Sequence, residues 1–206
     1  LEGNVEKVVH LTASDEYREN FSLTNIKSSI QAGVGFELEL PGVHSDIGGG
    51  YAEKENEVRY LHLEEGYTNI KENVLQQGWY LPKQIIEEKG HQTVLWATRK
   101  GIPNSYQFIP LAIMVTLAEK YGLKFNKKEF ESGDKLYTVP DDLQEAKKSL
   151  VAYAEQNDGA HSKKVTIREE YLKPIRNKYL HRSASDSLGK GGRYKDGKPY
   201  RKHHDG

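Results

Sequence analysis

Apolar and acidic residues alternate from Val34 to Leu40, with Val34, Phe36, Leu38 and Leu40 on one side and Gly35, Glu37 and Glu39 on the other. A period of two predicts a half-buried β-strand. Pro41 and Gly42 end it, and the chain runs on through Val43-His44-Ser45-Asp46-Ile47-Gly48-Gly49-Gly50-Tyr51, a glycine-rich loop at the strand's C-terminal end. Other stretches carry helical spacing. Val5, Val8, Val9, Ala13 and Tyr17 follow a possible Asn4 cap, and Ile70, Val74, Leu75, Trp79, Ile85 and Ile86 mark a helical region from Asn69 to Lys89, divided at Gly78 and Pro82. Phe108 to Tyr121 predicts a helix with Leu111, Met114, Val115 and Ala118 on one face and Gly122 at its stop. Further helices are predicted from Asp141 to Ala154 and from Ile167 to Tyr179, the second bent near Pro174. Thr93 to Thr98, β-branched and aromatic, reads as a short strand ending in a turn around Gly101 to Asn104. From Ser183 onward apolar residues nearly vanish, which predicts an extended tail.

Composition narrows the class. The chain has 206 residues, 36% of them hydrophobic, enough for one core, and its 30 basic residues balance 30 acidic ones. A balanced charge gives no strong field that points to nucleic acid or membrane as an overall partner. No apolar run approaches the roughly 18 residues that would span a bilayer, and no N-terminal signal pattern is present. The absence of cysteine removes disulfides, thiolate catalysis and cysteine zinc sites from these residues.

His44 is the main candidate for chemistry. Strand C-terminal ends are where open α/β sheets present their reactive groups, and an ordinary imidazole, titrating near about pH 6.5, takes up and returns protons at neutral pH. Asp46 reads as a loop anchor accepting hydrogen bonds from the Gly48, Gly49 and Gly50 amides. Two rivals stand beside this reading: His44 with Asp46 as a pair of ligands to a divalent cation, and the three glycines as a phosphate nest. Asp15, Glu16 and Arg18 read as ion pairs that position the sheet rather than react. His181, late in the chain, competes for the catalytic histidine's place, with structural packing as its alternative. His203 and His204 read as solvent-exposed, and His10, His62, His91 and His161 have no constellation around them. The tail from Arg182 carries seven Lys or Arg against three acidic residues, with Tyr194 and Tyr200 interleaved. It reads as a flexible, solubilising end, with contact to nucleic acid or anionic lipid head groups as the functional alternative.

The run Leu40-Pro41-Gly42-Val43-His44-Ser45-Asp46-Ile47-Gly48-Gly49-Gly50-Tyr51, preceded by Val9-His10-Leu11-Thr12-Ala13-Ser14-Asp15-Glu16-Tyr17-Arg18, resembles the α/β-hydrolase domain family that includes type VI secretion phospholipase effectors. The resemblance covers Val5 to Tyr51 well, and Ile109 to Phe125 and Tyr179 to Ser183 weakly. It implies an α/β fold and a serine esterase acting on lipid acyl esters without a cofactor or metal, with His44 as the triad histidine and His181 as the alternative. Such an enzyme presents its nucleophile in Gly-x-Ser-x-Gly, a motif these residues do not contain. The nucleophile and triad acid are therefore expected upstream of Leu1, and these residues alone are expected to be inactive. The expected organisation is residues 1–51 as the end of the hydrolase core, 52–182 as a mainly helical insertion and C-terminal region, and 183–206 as the tail. The resemblance further implies phospholipid or another acyl ester as substrate, secretion-machinery and immunity proteins as partners, transient membrane contact and no nucleic acid. It also implies a bacterial protein, cytoplasmic in its producer and secreted into a target cell. Two other classes stay open: a non-catalytic binding module using the same loop, and a metal-dependent hydrolase.

Overall fold

The computed structural model describes residues 4–61, 70–89, 93–126, 137–184, 191–195 and 198–206. Among them the chain is mixed α/β, with six α-helices and several small sheets. The strand read from the alternating pattern is present as β2, Gly35–Leu40, with Phe36, Leu38 and Leu40 fully buried. It is the middle strand of a parallel sheet, between β1 (Val8–Ala13) and β6 (His161–Lys164). β1 corrects the helix expected around Val5 to Tyr17. Its Val8, Val9 and Thr12 are β-branched, and its apolar positions Val9, Leu11 and Ala13 alternate, so the segment pairs in register with β2 from Val8 opposite Gly35 to Ala13 opposite Leu40.

Parallel pairing has one consequence for the site. The C-terminal ends of β1 and β2 emerge side by side, joined by Ser14 N–H donating to the Leu40 carbonyl (2.9 Å) and Asp15 N–H donating to the Gly42 carbonyl (3.0 Å). The Gly42 N–H in turn donates to Asp15 Oδ2 at 2.7 Å. The Asp15-Glu16-Tyr17-Arg18 run at the end of β1 is thereby brought against the His44 segment at the end of β2.

A second sheet departs from the mainly helical region expected over 52–182. Strands β3 (Glu55–Tyr60), β4 (Ile85–Lys89) and β5 (Thr93–Ile102) form an antiparallel sheet with β5 in the middle. Of the helix expected over 69–89, Ile70–Gln76 is α-helical and Pro82–Gln84 is a single 3-10 turn, while Ile85 and Ile86 lie in a strand, because residues 85–89 pair along β5 from Ile85 opposite Ala97 to Lys89 opposite Thr93. Glu57 of β3 and Arg99 of β5 stand opposite each other, each 3% exposed, with Arg99 Nη2 and Nε at 2.8 and 3.0 Å from Glu57 Oε1. Burial works to raise the Glu57 carboxyl's pKa, and the Arg99 and Arg59 charges override it and hold it below the ordinary value.

The remaining helices close the core. α1 is Lys27–Gln31, α2 the one-turn helix His44–Gly48, α3 Ile70–Gln76, α4 Phe108–Lys120, α5 Asp141–Gln156 and α6 Glu169–Lys178, which contains Pro174. The bounds of α4 match the sequence expectation, but its buried face does not. Ile109, Ile113 and Leu117 are buried, whereas Met114, on the face marked out by Leu111, Val115 and Ala118, is 40% exposed. A helix apolar on all sides gives no periodic cue to which side turns inward. Among the described residues no helix is long and apolar enough to cross a membrane.

The C-terminal residues read as a flexible tail lie instead along the segment after β1. Leu23 N–H donates to the Lys202 carbonyl, Asn25 N–H to the His204 carbonyl and Arg193 N–H to the Tyr17 carbonyl, and His203–His204 pairs with Leu23–Thr24 as a short parallel ladder. Backbone pairing of this kind depends little on side-chain hydropathy, so composition conceals it. His62 and His91 fall outside the described residues, as do residues 185–190 of the tail.

Candidate active site

His44 is the first residue of α2, directly after the extended Val43. A single turn is not self-sustaining, and this one is anchored by Asp46: its Oδ2 accepts the Val43 N–H at 3.0 Å, closing the turn from its third position. Gly42, at φ +115°, lets the chain swing from β2 into the turn; a Cβ there would stand 2.9 Å from Asp46 Cβ and 3.3 Å from Leu180 Cδ2.

The His44 ring is held on both sides. Nδ1 lies 2.8 Å from Glu16 Oε2, and Nε2 lies 3.0 Å from Ser45 Oγ. Glu16 is 1% exposed, while the His44 side chain is 39% exposed, so the acid is sealed behind a ring that meets solvent. Glu16 also accepts from Arg18 Nε (3.0 Å), Arg18 Nη2 (2.8 Å) and the Arg18 N–H (3.1 Å), and the Ser183 hydroxyl donates to it at 3.3 Å. Burial tends to raise the Glu16 pKa, but the His44 and Arg18 hydrogen bonds outweigh it and hold the carboxyl well below the usual carboxylate range. Glu16 is thus a fixed anion aimed at Nδ1.

Arg18 Nη2 stands 2.7 Å from the same His44 nitrogen. The two neighbours favour opposite tautomers. With the proton on Nδ1, His44 donates to Glu16 and leaves Nε2 free to accept a proton; with Nδ1 bare, Arg18 donates to it and the proton sits on Nε2. Only the first form makes Nε2 a base. Phe21 bridges these groups, its ring 3.4 Å from the Arg18 guanidinium carbon and 4.6 Å from the His44 ring centroid.

Asp46 and His181 form a second, buried pair. Rather than the Gly48 to Gly50 amides expected from sequence, Asp46 takes the His181 N–H at Oδ2 (3.1 Å) and faces His181 Nδ1 with Oδ1 at 2.8 Å, across 135 residues of chain. Gly50 N–H goes instead to Gln107 Oε1 at 3.2 Å. His181 is 2% exposed and stacked under Tyr51, ring centroids 3.5 Å apart, so neither of its ring nitrogens faces solvent. Burial raises the Asp46 carboxyl's pKa above its ordinary value, the opposing pull of His181 notwithstanding. His44 and Asp46 thus point to different partners and do not converge as metal ligands. Among the described residues no three His, Asp or Glu are gathered to hold a metal ion. His10 pairs with Glu37 at 3.1 Å, away from the site.

Glu16 is the residue whose place at His44 sequence reasoning missed. The signal was there: once residues 8–13 are read as a strand parallel to β2, the residues following the two strands must lie together.

No protein-family model matches the chain, and no curated protein is matched. Among solved structures, it is similar to the Tle1 effector bound to the VgrG spike from the type 6 secretion system, with 26% identity and a TM-score of 0.60 over 87% of this chain. The similarity covers 41% of that chain, so these 206 residues span less than half of the effector's length.

Proposed function

We propose that this chain is the histidine-bearing part of a carboxylic-ester hydrolase of the type VI phospholipase-effector kind, on an α/β-hydrolase fold. One observation carries the reading: a half-exposed imidazole whose Nδ1 is fixed by the buried Glu16 carboxylate and whose Nε2 faces a hydroxyl at 3.0 Å. In this reading Nε2 takes the proton of a serine as its oxygen attacks the ester carbonyl, and returns it to the departing alcohol as the acyl–oxygen bond breaks. Water then hydrolyses the acyl-enzyme by the same relay. Glu16 keeps the Nδ1 proton in place and stabilises the imidazolium formed at each step.

In this reading the serine belongs to a part of the protein outside these 206 residues, which contain no Gly-x-Ser-x-Gly turn. Phospholipid as the substrate, delivery into a target cell and a secretion-machinery partner rest on the sequence resemblance and on the likeness to an effector bound to a VgrG spike.

A second reading is favoured by one distance. Ser45 Oγ at 3.0 Å from Nε2 completes an acid, imidazole and hydroxyl within the chain itself. Fatty-acid release from phosphatidylglycerol–phosphatidylethanolamine vesicles and hydrolysis of a short-acyl p-nitrophenyl ester, by the longest natural form of the protein with and without Ser45→Ala, tests both. Turnover that survives Ser45→Ala and added chelator supports the external serine. Loss on Ser45→Ala favours the local one, loss with chelator favours a metal-dependent hydrolase, and no turnover on either ester favours a binding module.

A further inference from the structure

The segment Leu180–Ala184 has no regular secondary structure, yet all five residues are buried, at 0 to 7% exposure. Three successive residues of it each bond a different buried carboxylate. His181 bonds Asp46 through its N–H and Nδ1, Arg182 N–H donates to Glu57 Oε2 at 2.8 Å, and the Ser183 hydroxyl donates to Glu16. Glu57 is locked to the second sheet by Arg99 and by the Tyr80 hydroxyl at 2.7 Å, and Arg59 Nε donates to the Arg182 carbonyl at 2.6 Å. The segment is therefore clamped at its centre, and it reaches out on one side to the turn carrying His44 and on the other to the acid behind the ring.

We propose that His181 is a positioning residue for His44: through Asp46 it fixes the one-turn helix on which the catalytic imidazole rides. This inference rests on the reading of His44 as the general base. At the N-terminal edge of α2 the Asp46 and Ile47 N–H groups donate to the Val43 carbonyl (2.9 and 3.2 Å), and Asp46 is the one carboxylate of this five-residue helix. Asp46 ties the turn to the rest of the molecule through two of its three hydrogen bonds, both from His181. Without the imidazole, the carboxylate is left buried beside the Val43 and His181 amides and must shift or take up a proton, and the His44 ring moves with its helix. Tyr51, stacked on the far side of His181, keeps the imidazole in the plane that serves Asp46.

The experiment uses the longest natural form of the protein, with His181→Leu, which fills the space without a donor, and His181→Asn, whose amide stands where Nδ1 does. Ester turnover and the 15N resonances of the His44 ring are measured side by side. Expected for folded His181→Leu is a kcat lowered about 10- to 100-fold with KM within about twofold, as for a small displacement of a catalytic group, together with shifted His44 ring signals. His181→Asn restores both. Wild-type kcat and unchanged His44 signals in folded His181→Leu overturn the proposal, and so does an equal loss in both folded variants. If His181→Leu does not fold, Asp46→Asn alters the same contact from the helix side and is judged by the same outcomes. Absence of esterase turnover in the wild type defeats the functional reading alone, and the His44 resonances then decide the positioning role.

Discussion

Replacing Glu16 by alanine tests the buried network behind His44 without requiring any enzymatic activity. The substitution removes a carboxylate that is 1% exposed and leaves the Arg18 guanidinium, in a residue 6% exposed, without the anion that accepts from its Nε and Nη2. Breaking a buried ion pair from one side costs about 3–5 kcal/mol, because the remaining charge stays desolvated and unpaired. The Ser183 hydroxyl and the Arg18 N–H lose an acceptor as well. For a chain of this size each kcal/mol lowers Tm by about 2–4 °C, so Glu16→Ala is expected to melt about 6–20 °C below the wild type. Arg18→Leu added to Glu16→Ala removes the orphaned charge and recovers part of the loss, a coupling of about 0.5–3 kcal/mol in a double-mutant cycle. Thermal melts followed by circular dichroism, with urea titrations of all four proteins, provide the numbers. A fall of less than about 2 °C in Glu16→Ala, or strict additivity in the cycle, refutes the account of Glu16 as the acid that balances Arg18.

Three further outcomes are expected. Because Glu16 titrates below its unfolded range of about 4.3, its contribution is present above that pH and is lost as pH falls through the lowered folded value; the stability gap between wild type and Glu16→Gln therefore narrows in urea titrations taken from pH 6 down to pH 3. Glu57→Leu alone costs about 3–5 kcal/mol by leaving Arg99 buried and unpaired, while Glu57→Leu with Arg99→Met recovers most of it, measured by urea unfolding. Gly42→Ala, at φ +115° and with its Cβ 2.9 Å from Asp46 Cβ, costs about 1–3 kcal/mol in the same assay and moves the His44 ring resonances.

How much of this was legible in the sequence varied with the kind of signal. β2 was, because Phe36, Leu38 and Leu40 alternate with acidic residues and a Pro-Gly pair marks the end. The spacing of Val5, Val8, Val9 and Ala13 fits a helix as well as a strand, and the β-branching of Val8, Val9 and Thr12 is what separates them. Ile85-Ile86-Glu87-Glu88-Lys89 does not alternate at all, and its strand exists because β5 offers an edge. The outward side of α4 is as apolar as its buried side, so composition concealed its orientation. His44 was legible as a candidate from its place after a strand. Its partner Glu16 lies 28 residues away, and the His181–Asp46 contact spans 135, so both depend on how the strands and the C-terminal segment come together rather than on any local pattern.

The central claim is that the His44 Nε2 carries the proton during ester hydrolysis. Steady-state hydrolysis of phospholipid vesicles by the longest natural form of the protein, wild type beside His44→Ala with both shown to be folded, tests it most directly. The predicted result is a fall in kcat/KM of about three orders of magnitude or more in the variant. Activity retained within about tenfold contradicts it.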